Sequence, residues 1–335
     1  MKDLSRFILK CMIAALPYIL LTGYIWLFPF GYMDEEFPSW HYTKMVAEGK
    51  ETPVDGAEAV LILGDSRAMA DIIPEMCGEN YVNLGIGGAT TIEMYYTLRH
   101  YIENNGAPKK AFIMFAPFHY SYMDNYKTRT MYFHHLTYKE AMEVYSQARA
   151  AGYAGAEPAS FEELDTGAIL SIYLRSPAVY LPALINARGY GRLSQNREKY
   201  SEQITDRGHA LYGTMDGCDY PNYEASYEHM EKGGDHRIIT VYFGKLLDLC
   251  RDNGIQTAVL QAPMNRASFD MLNSDYVSEY TSYIKAFAAD HKDIIFETDI
   301  PCYDNCYFGD SSHLNGKGAR LYTEELMNKY AQFLN

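Results

Sequence analysis

Three short segments of the chain carry residue types that together suit acyl chemistry. The first, Gly64-Asp65-Ser66-Arg67, follows directly on an apolar run over residues 59–63. Its serine hydroxyl is a poor nucleophile until a base takes the proton. The second, Gly309-Asp310-Ser311-Ser312-His313-Leu314-Asn315-Gly316, offers that base. An Asp and a His three residues apart at a helix start can hydrogen-bond each other. The carboxylate then fixes the imidazole tautomer while the other ring nitrogen faces outward. The third, Asn83-Leu84-Gly85-Ile86-Gly87-Gly88-Ala89-Thr90, is rich in glycine, so backbone approaches closely there. An N–H from this segment together with that of Ser66 would stabilise an oxyanion. Each segment also has a plainer reading. Ser and Asp are ordinary helix caps, and a glycine loop can cradle phosphate, although the lysine and spacing of a P-loop are missing. Nor is the first segment a G-x-S-x-G elbow, since Ala68 holds the last position.

Positioning these residues requires a scaffold, and the apolar patterning predicts one. Runs without alternation at residues 59–63, 81–84, 111–115, 257–260 and 294–296 suit strands buried on both faces of a parallel sheet. Helical patterns lie between them, such as Ile92, Tyr95, Leu98 and Ile102, and the stretch opened by Gly234-Asp235 and closed by Asn253-Gly254. Alternating strands and helices predict an α/β fold, a three-layer doubly wound parallel sheet whose carboxyl edge binds ligands. About 140 residues separate the third and fourth strands, far more than an ordinary connection, so a helical insertion is expected over roughly 120–234. Within it, residues 166–185 are charged only at Arg175. That charge, with Pro177 and Pro182, argues against a second membrane span and for helices that cover the sheet or touch the membrane or a partner.

Residues 11–31 carry no charge and would cross the bilayer as a helix. Lys2, Arg6 and Lys10 precede them and Asp34, Glu35 and Glu36 follow, which predicts a single-pass anchor with a cytoplasmic N-terminus and residues 32–335 as an extracytoplasmic domain. A cleaved signal peptide fits less well, because the run is long, ends in Trp26, Phe28 and Phe30, and lacks a small-residue cleavage site. The 335 residues are 48% hydrophobic and 21% charged, a globular composition. A net charge of −14 speaks against nucleic acid as a partner. Cysteine spacing suggests no structural zinc site, and no metal is expected; Cys302 and Cys306 flank a loop short enough for a disulfide. Thirty-one tyrosines either line a carbohydrate groove or fill half-buried positions.

Taken in order, the three segments resemble the SGNH (GDSL-type) hydrolase superfamily: GDS at Gly64 to Ser66, the block-two glycine at Gly88, and D-x-x-H at Asp310 and His313. The resemblance covers roughly residues 57–119 and 235–330. It implies a flavodoxin-like fold, Ser66 as nucleophile and oxyanion donor, His313 as general base, Asp310 as its orienter, Gly88 as a second oxyanion donor, and no cofactor. One block departs from the pattern. The usual G-x-N-D falls on Ala116-Pro117-Phe118-His119, so Arg67, His119 or Asn265 would have to stand in for the absent Asn. The anchor, GDSR, Pro263-Met264-Asn265 and DSSHLN are similar to a branch of DltD-like and alginate-acetylation-like proteins. Members of that branch work with a membrane-bound O-acyltransferase on cell-envelope polymers. This implies an acyltransferase or esterase acting on acetyl or D-alanyl esters of a cell-wall polysaccharide or teichoic-acid-like polymer. A catalytically weak scaffold for such an acyltransferase and a plain secreted esterase are the alternatives.

Overall fold

The computed structural model describes residues 2–123, 125–150 and 164–331. The unalternating apolar runs form strands: β1 (Val60–Gly64), β2 (Tyr81–Asn83), β3 (Lys110–Phe115) and β4 (Gln256–Gln261). Three two-residue strands follow, β5 (Met264–Asn265), β6 (Ile295–Phe296) and β7 (Cys302–Tyr303). Five of them make one parallel sheet in the order β2-β1-β3-β4-β6, the order of a doubly wound sheet with its switch point between β1 and β3. β5 and β7 pair separately.

Side chains alternate across the sheet as a strand requires. Leu61, Leu63, Ile113, Phe115 and Val259 join one apolar cluster, with the helices Thr91–Asn105 and Gly234–Asp252. Val60, Ile62, Phe112, Met114 and Leu260 join the other, under the helices Ser66–Asp71 and Gly316–Lys329. Both faces are therefore covered, which explains why the strands read as continuous apolar runs. In register, Gly64 lies opposite Met114, so β1 delivers residues 65 and 66 to the carboxyl edge of the sheet.

The insertion does not stand apart. Its helices Thr166–Tyr173 and Pro177–Asn186 send Ile169, Ile172, Tyr180 and Leu184 into the same cluster as Leu61 and Ile113. Tyr96, Tyr120, Tyr180 and Tyr242 are among the tyrosines fully buried in the core, while others, Tyr190, Tyr220 and Tyr223 among them, are exposed. All six cysteines are free, Cys302 and Cys306 included.

Among the described residues one helix, Lys2–Leu27, is long and apolar enough to cross a membrane, through its stretch Leu4–Leu27. The expected bounds of 11–31 need correction. Pro29 has no N–H to continue the helix and its ring disfavours helical backbone at the preceding residue. Phe28 accordingly leaves the helical region, at φ −129° and ψ 48°. A separate short turn, Pro29–Tyr32, follows, with Gly31 and Tyr32 buried in the folded domain.

Candidate active site

Ser66 opens a helix at the end of β1. Gly64, with φ 154°, makes the sharp exit possible: a Cβ there would lie 1.8 Å from the Met114 carbonyl oxygen. Asp65 caps the new helix, its Oδ1 accepting from the Arg67 N–H at 2.8 Å. The last segment is folded just as locally. Asp310 Oδ1 accepts from the backbone N–H groups of Ser312 and His313, both at 2.7 Å. Asn315 then caps the final helix by accepting from Lys317 and Gly318.

These two turns, 247 residues apart in sequence, meet through side chains. Ser66 Oγ lies 2.8 Å from His313 Nε2, and His313 Nδ1 lies 2.9 Å from Asp310 Oδ2. Burial pushes the Asp310 carboxyl up, but the His313 ring and two backbone N–H groups outweigh it and hold the carboxyl below its usual range. An ionised carboxylate only accepts, so Nδ1 carries the ring proton and Nε2 accepts from the serine. This geometry allows His313 to take the Ser66 proton as an attacking oxygen forms its bond.

Several residues hold the imidazole in place that no local pattern in the sequence announced. Tyr212 stacks on the His313 ring, centroids 4.7 Å apart and planes 21° from parallel. Its hydroxyl donates to Glu36 Oε2 at 3.0 Å, and Glu36 also faces Arg129 at 3.7 Å. Below, Asp71 Oδ1 accepts from the Leu314 N–H at 3.1 Å, while Oδ2 has no partner. Burial, reinforced by the nearby Asp65 and Asp310 carboxylates, raises the Asp71 carboxyl well above its ordinary value.

The wall opposite His313 is built from the glycine segment and the insertion. Gly88 has φ 73°, and a Cβ on it would lie 2.1 Å from Asn125 Nδ2, so only glycine admits the Asn125 amide here. Asp65, wholly buried, takes three donors: Arg67 N, Ala116 N at 2.7 Å and His119 Nδ1 at 2.5 Å. Burial opposes its ionisation, yet the His119 ring and these hydrogen bonds keep the carboxyl below its usual range. Arg67 donates through Nη2 to the buried Glu224 at 2.7 Å, and Glu224 in turn accepts from the Phe118 N–H. The second terminal nitrogen of the guanidinium, Nη1, is buried without a hydrogen-bond partner.

A cavity of about 250 Å³ joins Ser66, Arg67, Gly88, His119, Asn125 and His313, with Phe118 and Tyr223 also on its wall. Of the candidates for the absent Asn, Arg67 and His119 therefore reach the cavity. Asn265 does not, and that expectation is corrected. Its amide donates to the Cys218 and Tyr220 carbonyls, and its Oδ1 caps Ser268 at 2.8 Å. Both amide hydrogens and the cap are spent on structure. Asn125, which no motif in the sequence marks, occupies the wall instead. Among the described residues no group of His, Cys, Asp and Glu is arranged to hold a metal ion. Compared with known protein families and with curated proteins, the chain matches none.

Proposed function

We propose that the protein is a membrane-anchored serine acyltransferase or esterase of the SGNH type, acting on acyl esters of a cell-envelope glycopolymer. The observation that carries this reading is the unbroken hydrogen-bonded chain from Ser66 through His313 to Asp310. Ser66 Oγ attacks the carbonyl carbon of an ester or thioester as His313 Nε2 takes its proton. The oxyanion of the tetrahedral intermediate is held by the backbone N–H groups of Ser66 and Gly88, with the Asn125 amide in place of the usual Asn. His313 then protonates the leaving group, leaving an acyl-serine. A polymer hydroxyl or water, deprotonated by the same nitrogen, resolves it.

His119 has a different capacity from that of an amide donor. Its Nδ1 proton is committed to Asp65, so a neutral ring offers Nε2 only as an acceptor, and the ring donates to an oxyanion only as imidazolium. Support for a sugar polymer comes from the aromatic rim. Tyr223 is 57% exposed and meets Phe118 edge-on at 5.1 Å, while Phe118 stacks with Tyr122 at 5.2 Å. Aromatic faces at a cavity mouth suit the apolar faces of sugar rings. Support for a membrane location comes from the Leu4–Leu27 helix and from Glu36, which follows Leu27 by nine residues and already holds Tyr212 over the catalytic ring.

Cells carrying Ser66→Ala test the reading. Loss of ester groups from a surface polymer supports transfer, and accumulation of esters identifies a deacylase. Unchanged ester content in every surface polymer refutes both.

A further inference from the structure

The least charged stretch of the insertion presents an apolar face that the folded domain leaves uncovered. The helices Thr166–Tyr173 and Pro177–Asn186 are bent by 56° at the residues between them. Their inner residues Ile169, Ile172, Tyr180 and Leu184 are buried in the core. Leu170, Leu174, Leu181 and Ile185 point away from it, with Leu174 59% and Ile185 65% exposed. Neighbouring exposed positions, Ala178 and Pro182, are also apolar. The helices have 8 and 10 residues, about 12 and 15 Å of rise, well short of the roughly 30 Å hydrocarbon core. With one face built into the domain, they cannot span.

What covers this face follows from its neighbour. Arg175, the single charge of the stretch, sits between the two helices at φ 49° and donates through Nη1 to the Ile25 carbonyl at 3.2 Å. Its guanidinium also lies 4.8 Å over the Trp26 ring. The charge therefore caps the C-terminal end of the long apolar helix, where the helix dipole is negative, rather than facing outward. Tyr24 adds a bond to the Gly189 carbonyl at 3.2 Å. Beyond the pair, Arg188 is exposed, as basic residues flanking an interfacial helix are. The apolar face is thus joined to the very end of the membrane helix, at the aromatic level where a span leaves the hydrocarbon.

We infer that the bent helix pair 166–186 lies in the surface of the bilayer beside the Leu4–Leu27 span, fixing the domain against the membrane instead of letting it swing on a tether. This rests on the anchor reading above. Its consequence is geometric: Glu36, the carboxylate that holds Tyr212 over His313, stays within about 32 Å of extended chain from the end of the span, so the cavity meets its substrates close to the lipid surface.

The test uses the full-length chain in phosphatidylcholine/phosphatidylglycerol nanodiscs containing a phosphatidylcholine with a diazirine on its acyl chain. After irradiation, lipid adducts are mapped by peptide mass spectrometry. Adducts are expected on both residues 4–27 and residues 166–186, and the double variant Leu181→Glu/Ile185→Glu should lower those on 177–186 by about tenfold. Adducts on 4–27 alone overturn the inference and leave the anchor standing; this is also the result if the face is reserved for a protein partner. Adducts on neither segment overturn the anchor and the inference with it. Equal labelling in the double variant, with its thermal unfolding unchanged, also overturns the inference.

Discussion

Replacing Gly88 by alanine separates the chemistry of the cavity wall from the stability of the fold. The backbone there has φ 73°, and a non-glycine residue held in the left-handed region costs about 1–2 kcal/mol. The new methyl would sit 2.1 Å from Asn125 Nδ2 and 3.0 Å from its Cγ. The clash falls on the end of a flexible side chain, so Asn125 swings aside at little further expense to folding. Catalysis suffers more. Moving one oxyanion donor costs about 2.7–4 kcal/mol, or 10²–10³-fold in kcat. Hydrolysis of p-nitrophenyl acetate by the full-length chain in detergent micelles, with urea unfolding in parallel, measures both effects. The rate loss should exceed the stability loss. In the Gly88→Ala background, adding Asn125→Ala should have a much smaller effect than in wild type, because the two changes act on one group. A Gly88→Ala variant that hydrolyses the ester at the wild-type rate refutes the assignment of this wall to the oxyanion.

Other perturbations follow from the same geometry. Asp71 has a folded-state pKa raised above its ordinary 3.8, so the folded chain keeps a proton that the unfolded chain releases as pH rises, and stability declines above about that value. Asp71→Asn should remove this decline, raising Tm at pH 8 relative to wild type more than at pH 4; no difference between the two pH values contradicts the upward shift. Glu224→Gln strands the buried Arg67 guanidinium and should cost roughly 3–5 kcal/mol in urea unfolding, with much of it recovered by a second change, Arg67→Met. Asp310→Asn should lower kcat by up to about 10⁴-fold at unchanged Tm, since the imidazole then settles in the wrong tautomer; a loss of ester hydrolysis no larger than twofold contradicts the dyad.

The parts of the site that could be read from sequence are those built by contiguous residues. Gly64 to Ser66 and Asp310 to His313 are turns in which a residue bonds a backbone or side chain two or three positions away, and such turns leave a local pattern. The strands were legible for a similar reason, since cover on both faces removes the polar alternation. Asn125, Tyr212, Glu36 and Arg129 meet the site only through tertiary packing of the insertion and the segment after the apolar helix, and no short-range spacing marks them. Asn265 misled because an Asn after a strand reads equally as a ligand-facing group and as a helix cap; here the cap uses it up. The apolar sequence runs on past the end of the helix because Pro29 stops the helix without adding a charge.

The central claim is that His313, oriented by Asp310, makes Ser66 nucleophilic. A fluorophosphonate probe tests it most directly, because phosphonylation requires the same activated hydroxyl. With the full-length chain in detergent micelles, intact-protein mass spectrometry should show a single adduct on wild type, peptide mapping should place it on Ser66, and His313→Ala should abolish it. A folded wild-type chain that takes up no probe, or a His313→Ala variant that is labelled as fast as wild type, contradicts the account.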